Sequence, residues 1–358
     1  TEKQAQQAPV GEIALCHCHG CGFVFNRSFA PEKISYEPGF EASLHHSPVH
    51  RQFLVATAAN LIERFELRNK NVIEVGCGSG FFLELLCNMG ANQGVGFDPS
   101  ITDLQSIGSG NGSVKLVRGT YGVQHSALAV DLLCCRSVLE HIHRPQHFVQ
   151  AIRTICADRD VDAYFEIANG TYIFEQQIGW NIFYEQCSYF SEENLVDLFR
   201  RSGFSVLRSG TCFADGNYLF VDVTTRHAMT QATSTPIGDR QLSDTLRQFS
   251  RNYEDQLSIW TDRLTSWAGN QKRVAVWGAG GRGIMFVNAL PTKTVSYVVD
   301  INPQRQGRFV AGSGQRVVPP AFMTEYSPDI IVIMNAVYEE EIRRAAANLN
   351  LTCEFVLA

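Results

Sequence analysis

Short apolar runs alternate with amphipathic stretches between residues 71 and 223. Five of these runs have the length and composition of buried strands: 71–75, 94–97, 114–117, 130–135 and 163–167. The amphipathic segments between them are interpreted as helices or connecting loops. This alternation predicts an α/β fold in which helices cover a parallel sheet.

The rest of the chain follows three other patterns. A helix is predicted at about 49–65, and a Thr-, Ser- and Gln-rich stretch at 224–239 without periodicity is interpreted as a linker. Apolar residues then recur every three or four positions from Leu242 to Trp267, which predicts one long amphipathic helix. Residues 272–358 repeat the pattern of strand, glycine turn, helix and strand on a smaller scale. The predicted regions are an N-terminal segment (1–48), a first α/β domain (49–223), the linker and long helix (224–271), and a smaller α/β domain (272–358).

Length and composition narrow the class of protein. A chain of 358 residues with 45% hydrophobic and 18% charged residues suits a globular protein with two domains. The net charge of -6 argues against nucleic acid as a partner, because phosphate backbones require clustered Lys and Arg. No apolar run reaches the ~18 residues of a membrane span. The eleven cysteines, several of them in apolar runs, favour a reducing cytoplasm.

The first glycine loop, at 76–80, joins a buried strand to the start of a helix. Glycines let the backbone approach a ligand, and the helix start offers free N–H groups. An acid two positions before the first glycine, and another at the end of the next strand, predict binding of S-adenosylmethionine (SAM). Asp98 would accept the ribose hydroxyls, and Glu74 would orient the turn or reach the methionine ammonium through water. The predicted cofactor residues here are Glu74, Gly76, Cys77, Gly78, Gly80 and Asp98.

The stretch from Val130 to Pro145 contains Asp131, then Val138-Leu139-Glu140-His141-Ile142 and Pro145. It resembles the fourth strand and following loop of class I SAM methyltransferases. The resemblance implies a class I SAM-methyltransferase domain. It also adds Arg136 to the cofactor residues, and implies that Gly119, Thr120 and Tyr121 lie near the adenine.

A second glycine loop at 278–283 has the spacing G-x-G-x-x-G after a strand, and Asp300 closes the next strand. This motif predicts NAD binding, a site for another phosphorylated ligand, or a Rossmann-like unit without a ligand. The spacing alone leaves these alternatives open.

Further segments carry a resemblance to a known family, together with the first glycine loop. They are residues 18–23, 183–190, 276–280, 299–303 and 328–335. On these segments, nearly the whole chain resembles the three-part sugar C-methyltransferases of antibiotic deoxysugar pathways. The family joins a zinc-binding N-terminal segment, a central SAM domain and a C-terminal Rossmann-like domain that helps to hold a nucleotide sugar rather than NAD. The resemblance therefore implies substrate contacts at Gly278, Gly280, Gly281, Arg282, Asp300 and Asn335.

The N-terminal segment departs from the family at its metal site. Cys18-x-x-Cys21 is half of a zinc ribbon, and tetrahedral zinc requires four ligands. The second cysteine pair of the family lies upstream of this point. Either the chain begins inside a longer protein, or Cys16, His17 and His19 complete a site, or Cys18 and Cys21 are free thiols.

The catalytic segment departs as well, because Tyr184-Glu185-Gln186 stands where family members usually carry Tyr-Glu-His. Gln cannot accept a proton near neutral pH, whereas imidazole is suited to remove one beside a keto group. Three accounts stay open. Glu185 is the base, or a neighbouring histidine replaces it, or the acceptor needs no deprotonation at carbon. Tyr184 is the candidate orienting hydroxyl, and the candidate histidines are His45, His46 and His141.

These observations predict an enzyme that moves a methyl from SAM to a small molecule, with a nucleotide-linked keto-deoxysugar as the expected acceptor. The expected mechanism is deprotonation followed by an SN2 step. The alternatives are O- or N-methylation of another metabolite, SAM binding without turnover, and NAD chemistry at the second loop. Nothing in the sequence predicts an oligomeric state.

Overall fold

A computed structural model describes residues 1–358 except 39, 41, 103–105, 110–111, 158, 227–239 and 291–293. Most of the predicted linker at 224–239 lies outside the described residues. Its first residues belong to the sheet, because Thr224 ends a strand and Thr225 donates a hydrogen bond to the carbonyl of Arg159.

The strands of the described chain form three sheets. The strands are β1 Leu15–His17, β2 Val24–Asn26, β3 Asn71–Val75, β4 Gln93–Asp98, β5 Ser106–Ser109, β6 Gly112–Arg118, β7 Leu132–Arg136, β8 Asp162–Ala168, β9 Ser188–Tyr189, β10 Ser205–Cys212, β11 Tyr218–Thr224, β12 Val274–Trp277, β13 Val295–Val299, β14 Arg316–Val318, β15 Ile330–Ile333 and β16 Glu354–Leu357.

The α-helices lie mostly between strands of the two larger sheets. They are α1 Glu2–Gln6, α2 Pro48–Arg64, α3 Phe81–Gly90, α4 Pro145–Ile155, α5 Gly170–Glu175, α6 Glu192–Arg201, α7 Arg240–Gly269, α8 Gly281–Ala289, α9 Met323–Tyr326 and α10 Glu339–Asn348. No helix in this described part is both long and apolar enough to cross a membrane.

The central sheet has the order β10-β11-β8-β7-β3-β4-β6-β5. Strands β8, β7, β3, β4 and β6 run parallel, whereas β11 is antiparallel to both β8 and β10. Along the chain, β3 is the first strand of this sheet. Strands β4 and β6 follow on one side of β3 and strands β7 and β8 on the other, so the carboxyl ends of β3 and β7 flank a topological switch point. Ligands of open α/β sheets bind at such a point. The predicted α/β fold is confirmed, with each of the five predicted strands present within two residues of its expected bounds.

Both faces of the central sheet are buried. Helices α2 and α3 cover one face with side chains such as Leu61 and Leu83, which are nearly inaccessible. Helices α4 and α6 cover the other face with side chains such as Ile152 and Phe199. Burial on both faces explains why the strands of this sheet are continuous apolar runs in the sequence.

The C-terminal sheet is parallel throughout, with the order β14-β13-β12-β15-β16. The long helix α7 reaches this sheet through Trp260 and Leu264, which pack with Phe286 of α8. Nearer its start, α7 packs Phe249 against Phe174 of α5 in the first α/β domain. The predicted amphipathic helix therefore spans both α/β domains and contributes to the core of each.

The N-terminal segment is joined to the central domain by a small sheet. Strands β1 and β2 form an antiparallel pair, and β9 adds to β2 from residues 188–189. The buried Asn26 fixes the turn region, since its side-chain oxygen accepts hydrogen bonds from the backbone N–H groups of Ala14 and Ser28. Because β9 directly follows Tyr184-Glu185-Gln186, this pairing holds the predicted catalytic segment against residues 1–48.

Candidate active site

The first glycine loop has the backbone conformation that its glycines permit. Gly76, Gly78 and Gly80 have φ angles of 72°, 53° and 82°, which side chains rarely allow. A Cβ added at Gly78 would meet no heavy atom within 4 Å, so the outer face of the loop is open to a ligand. A Cβ at Gly76 would lie 2.1 Å from Val138, because the loop after β7 packs directly on the glycine loop. Cys77 is buried beneath the loop.

Asp98 ends β4 and faces this loop. One carboxylate oxygen accepts a hydrogen bond from the N–H of Gly78 at 2.9 Å. The other accepts from the N–H of Ser100 at 2.8 Å and from its hydroxyl at 2.6 Å. Each carboxylate oxygen can accept more than one hydrogen bond. Asp98 therefore connects the loop to the end of β4 and can still accept bonds from a ligand hydroxyl.

Glu74 lies under the loop, with 2% of its side chain exposed. Its Oε2 atom is buried and has no hydrogen-bond partner within the described residues. Burial raises the pKa of Glu74 to about 8, although the positive charge of Arg136 opposes this effect. Arg136 itself bonds to Glu166 at 2.8 Å and lies over the ring of Phe82, 4.2 Å from its centroid. The two predicted cofactor residues thus belong to a buried cluster of ionisable groups behind the loop.

The predicted adenine residues follow β6. The N–H of Gly119 donates to the carbonyl of Asp98 at 3.2 Å, and Thr120 is exposed beside it. Tyr121 instead turns into the core, where its ring packs on Phe97 at 5.2 Å and burial raises its pKa to about 12. Gly119 and Thr120 therefore lie at the surface next to Asp98, and the Tyr121 ring lies behind them.

His45 and His46 lie over the start of α3. The His45 ring stacks on Phe81 at 4.4 Å with an interplanar angle of 11°, and the two histidine rings are 4.2 Å apart. Phe81 directly follows Gly80, so this pair adjoins the glycine loop. The Nε2 atom of His46 is buried, and no described residue forms a hydrogen bond with it.

His141 belongs to the loop after β7. Its Nδ1 atom lies 2.7 Å from the backbone carbonyl oxygen of Glu185. The Tyr36 ring is 6.4 Å from the His141 ring in an edge-on arrangement. The structure thus brings His141 and Glu185 together, and it adds Tyr36 from the N-terminal segment.

Tyr36 is a residue that the sequence analysis did not single out. Its hydroxyl is buried and has no hydrogen-bond partner in the described part of the chain. Burial raises the pKa of Tyr36, and the negative charges of Glu185 and Glu140 raise it further. Glu140 is also buried, with one carboxylate oxygen bonded to the N–H of Ala168 and the other unpartnered. A buried polar atom without a partner is costly unless a ligand or water meets it, and this is the signal that identifies both residues.

Tyr184 and Gln186, on either side of Glu185, lie in different surroundings. The Tyr184 hydroxyl accepts a hydrogen bond from the N–H of Ala30 at 2.8 Å, and its ring packs on Phe29 at 5.4 Å. Gln186 is 2% exposed, and its Nε2 atom makes no hydrogen bond to any described residue. Tyr184 therefore holds the N-terminal segment, while Gln186 presents an unsatisfied amide inside the protein.

Asp300, the acid associated with the second glycine loop, forms its hydrogen bonds within the protein. Asp300 accepts hydrogen bonds from the N–H of Ala279 at 2.9 Å and from Arg305 at 3.1 Å. Its other oxygen accepts from the N–H of Asn302 at 2.8 Å. Asp300 therefore stabilises the loop at the position where a dinucleotide site would present an acid to the ribose.

Close packing accounts for the glycines of this loop. A Cβ at Gly283 would lie 1.8 Å from the carbonyl oxygen of Gly278, and one at Gly281 would lie 2.9 Å from the Phe183 ring. Gly280 adjoins Arg305. Asn335 caps the turn after β15 by accepting a hydrogen bond from the N–H of Val337 at 3.1 Å. The contact between Gly281 and Phe183 brings the second loop against the predicted catalytic segment.

Cys18 and Cys21 lie in one tight turn, in which the N–H of Cys21 donates to the carbonyl of Cys18. Hydrogen bonds from the N–H groups of Cys21 and Gly20 lower the pKa of Cys18. Among the described residues, no three or more His, Cys, Asp or Glu side chains form a group that could hold a metal. The described donor set therefore does not fit a structural zinc ion, which requires four ligands.

Two family models match the chain. Residues 49–209 match a methyltransferase domain, and residues 238–358 match a C-methyltransferase C-terminal domain. The strand order of the central sheet and the loop at 76–80 agree with the first match. The chain therefore contains a SAM-dependent methyltransferase domain of class I, followed by a C-terminal domain of the C-methyltransferase type.

The chain is also similar to parts of known proteins. It is 30% identical over 94 residues to a ubiquinone biosynthesis O-methyltransferase of Cupriavidus pinatubonensis, covering 25% of this chain and 38% of that protein. The corresponding enzyme of Pseudoalteromonas translucida is 28% identical over 111 residues, covering 29% and 46%. The chain thus spans less than half the length of these curated relatives.

Among solved structures, the chain is similar to magnesium protoporphyrin IX methyltransferase of Synechocystis PCC 6803 with bound SAH. The sequence identity is 18%, the TM-score is 0.38, and the match covers 49% of this chain and 83% of that one.

Proposed function

We propose that the protein methylates a carbon atom of a nucleotide-linked keto-deoxysugar or a related small metabolite, with His141 as the base. The contact between His141 Nδ1 and the Glu185 carbonyl oxygen carries this proposal. SAM, when bound, supplies an electrophilic methyl group to a nucleophilic carbon. The match of residues 238–358 to a C-methyltransferase C-terminal domain supports carbon as the methylated atom.

The contact with Glu185 determines the tautomer of His141. A backbone carbonyl oxygen can only accept a hydrogen bond, so Nδ1 carries the proton. In the neutral ring, Nε2 then has a free lone pair and can remove a proton from an acceptor carbon. This arrangement supplies the function that Gln186 cannot perform. It supports the second of the three accounts that the sequence left open.

Tyr36 supplies a donor for the charge that deprotonation creates. Removal of a proton beside a keto group moves negative charge onto the keto oxygen. The buried hydroxyl of Tyr36 has no partner among the residues that the structure describes, and its ring lies beside that of His141, so it can donate to that oxygen. Its raised pKa keeps the proton on the hydroxyl, as a donor requires.

The cofactor would be held by residues at the carboxyl ends of β3 and β4. The open face above Gly78 accepts the approach of a ligand, and Asp98 would accept bonds from ribose hydroxyls. Gly119 and Thr120 would adjoin the adenine. Glu74 and Arg136 would support the loop from behind rather than contact the cofactor.

The acceptor would lie between this edge of the central sheet and the second glycine loop. The Phe183 ring packs on Gly281 and links the two, and Phe183 is two residues from Glu185. Unlike Asp98, the Asp300 carboxylate also forms an ion pair with Arg305 at 3.1 Å. This neutralised charge favours a substrate-binding role of the loop over binding of NAD.

O-methylation is the second candidate function, because the two curated relatives are O-methyltransferases. The decisive experiment incubates the protein with a panel of keto-deoxysugar nucleotides and with SAM whose methyl group is labelled with carbon-13. Mass spectrometry detects the methylated product, and carbon-13 NMR distinguishes a methyl on carbon from one on oxygen. A carbon-bound methyl supports the proposal, whereas an oxygen-bound methyl, or SAM binding without any product, contradicts it.

His141→Asn tests the base on the same acceptor. Loss of a general base lowers the rate by about 100-fold to 10,000-fold. His147→Asn is the matched control, since His147 is exposed on α4. His141→Asn with the activity of wild type would remove His141 from the mechanism.

A further inference from the structure

Phe81, the first residue of α3, contacts two side chains from the segment around the start of α2. The centroids of the His45 and Phe81 rings are 4.4 Å apart, with an interplanar angle of 11°. The Cζ atom of Arg51 lies 5.3 Å from the centroid of the same Phe81 ring. A guanidinium is attracted to the face of an aromatic ring. Because Phe81 directly follows Gly80, these contacts place a cation beside the first glycine loop.

His46 extends this cluster of side chains. Its ring centroid lies 4.2 Å from that of His45. Its Nε2 atom is buried, and no described residue forms a hydrogen bond with it. A buried polar atom of this kind is costly unless a ligand or water meets it. His46 therefore brings an unsatisfied ring nitrogen into the same cluster as the cation of Arg51.

The charge of Arg51 is available to a ligand. Two other arginines at this edge of the central sheet are held by protein partners. Arg136 forms an ion pair with Glu166 at 2.8 Å, and Arg282 of α8 donates to the side-chain oxygen of Asn181. The side chain of Arg51 forms no hydrogen bond or ion pair with any residue that the structure describes. It is exposed, so a bound anion can reach it.

Hydrogen bonds fix the backbone that carries these side chains. The Ser47 hydroxyl accepts from the N–H of His50 at 3.3 Å and donates to Glu341 of the C-terminal domain at 2.6 Å. The N–H of Val49 lies 3.4 Å from the same Glu341 oxygen. The carboxylate of Glu341 is thus engaged at the start of α2. A segment held in this way loses little further freedom when a ligand binds.

The order of the central sheet indicates which end of SAM would meet the cluster. Asp98 ends β4 and Gly119 follows β6, so both lie on one side of β3. Strands β7, β8 and β11 lie on the other side. The start of α2 lies on that other side, since the His50 ring is 6.3 Å from the ring of Tyr218, the first residue of β11. SAM with its ribose at Asp98 would therefore extend its amino acid end across the glycine loop toward the cluster.

We infer that His46 and Arg51 bind the carboxylate of the methionine part of SAM. The guanidinium would pair with the carboxylate, and a protonated Nε2 of His46 would donate a hydrogen bond to it. The inference rests on the proposed function for the position of the ribose at Asp98, but not for the identity of the acceptor. It gives His46 a role in cofactor binding in place of the proton removal considered from the sequence.

Isothermal titration of the full chain with SAM, and separately with decarboxylated SAM, which lacks only that carboxylate, tests the inference. Wild type is expected to bind SAM at least about tenfold more tightly than decarboxylated SAM. Arg51→Gln is expected to weaken SAM binding at least about tenfold and to leave the affinity for decarboxylated SAM within about twofold. Arg68→Gln is the control, because Arg68 is an exposed arginine beyond the other end of α2, and it should change neither affinity.

Equal weakening of both ligands by Arg51→Gln would show that Arg51 only shapes the loop through Phe81, and would overturn the inference. A SAM affinity of Arg51→Gln within about twofold of wild type would also overturn it.

His46→Leu is expected to weaken SAM binding by about tenfold with the same selectivity for the carboxylate. His147→Leu, on the exposed face of α4, is its control. His46→Gln keeps an N–H donor and is expected to retain most of the SAM affinity, which keeps the test decisive if His46→Leu folds poorly. Unchanged SAM affinity of His46→Leu with loss of methyl transfer would contradict the inference and make His46 a base.

The proposed function can fail separately. A loss of SAM affinity confined to the carboxylate in Arg51→Gln, with no methyl transfer by wild type to any acceptor, would support the carboxylate site and contradict the function. Methyl transfer to carbon, with equal SAM affinities of wild type and Arg51→Gln, would support the function and overturn the carboxylate site.

Discussion

The Nδ1 atom of His141 lies 2.7 Å from the backbone carbonyl oxygen of Glu185. The interaction uses the main chain of Glu185 and not its carboxylate. A substitution of the Glu185 side chain therefore changes the local charge without removing the group that orients His141.

Glu185→Gln is predicted to keep at least about tenfold more activity than His141→Asn, because the orienting carbonyl remains. The measurement is kcat/KM for both variants with the same acceptor. Equal losses in the two variants would instead make the carboxylate of Glu185 the base, which is the first account that the sequence left open.

Tyr36→Phe is predicted to lower kcat/KM by about tenfold while the melting temperature stays the same or rises. The Tyr36 hydroxyl has no hydrogen-bond partner among the described residues, so its removal breaks no hydrogen bond that the structure shows. Tyr297→Phe, in β13 far along the chain, controls for loss of a tyrosine hydroxyl. A lower melting temperature with unchanged kcat/KM would show that Tyr36 is structural.

Asp98→Asn is predicted to weaken SAM binding by at least about tenfold, as an amide cannot satisfy both the Gly78 N–H and the Ser100 donors. Calorimetric titration with SAM measures the change, with Asp255→Asn on α7 as a surface control. An affinity within about twofold of wild type would exclude Asp98 from the cofactor site.

Glu74 gives a prediction about pH. Its pKa in the folded protein is about 8, above the ordinary 4.5, so the folded state holds a proton that the unfolded state releases between these values. The contribution of Glu74 to stability is therefore highest below the ordinary pKa and is lost as the pH rises toward 8. Glu74→Gln removes this dependence and is predicted to gain stability relative to wild type at higher pH, by a few kcal/mol.

Thermal denaturation of wild type and Glu74→Gln at about pH 5 and pH 8 measures the effect. The difference in melting temperature should grow with pH, and Glu63→Gln, an exposed acid on α2, should show no such growth. A constant difference for Glu74→Gln would mean that Glu74 is ionised in the folded protein.

The sequence alone predicted the features that depend on neighbours along the chain. The strands of the central sheet could be predicted from continuous apolar runs, because helices bury both faces of the sheet. The loop at 76–80 could be predicted because left-handed φ angles require glycine. Asp98 could be predicted because it closes the next parallel strand. The second loop at 278–283 was also predicted from its glycine spacing, but that spacing did not predict which ligand the loop binds.

Contacts between distant segments were decided only by the tertiary structure. Tyr36 meets His141 because β9 pairs with β2 and draws the N-terminal segment over the central domain. The same packing turned Tyr184 toward Ala30, although its position beside Glu185 predicted an orienting hydroxyl. No local pattern encodes these contacts, because they arise from the docking of surfaces more than 100 residues apart.

The sequence thus determined the sheet, the glycine loop and the acid beside it, because local periodicity and backbone conformation depend on residue type. Only the tertiary structure decided which histidine nitrogen is free, which buried polar atoms lack partners among the described residues, and that His45 and Arg51 meet at the ring of Phe81. Those properties depend on what surrounds a side chain in space, and burial is what makes an unpaired charge or donor significant.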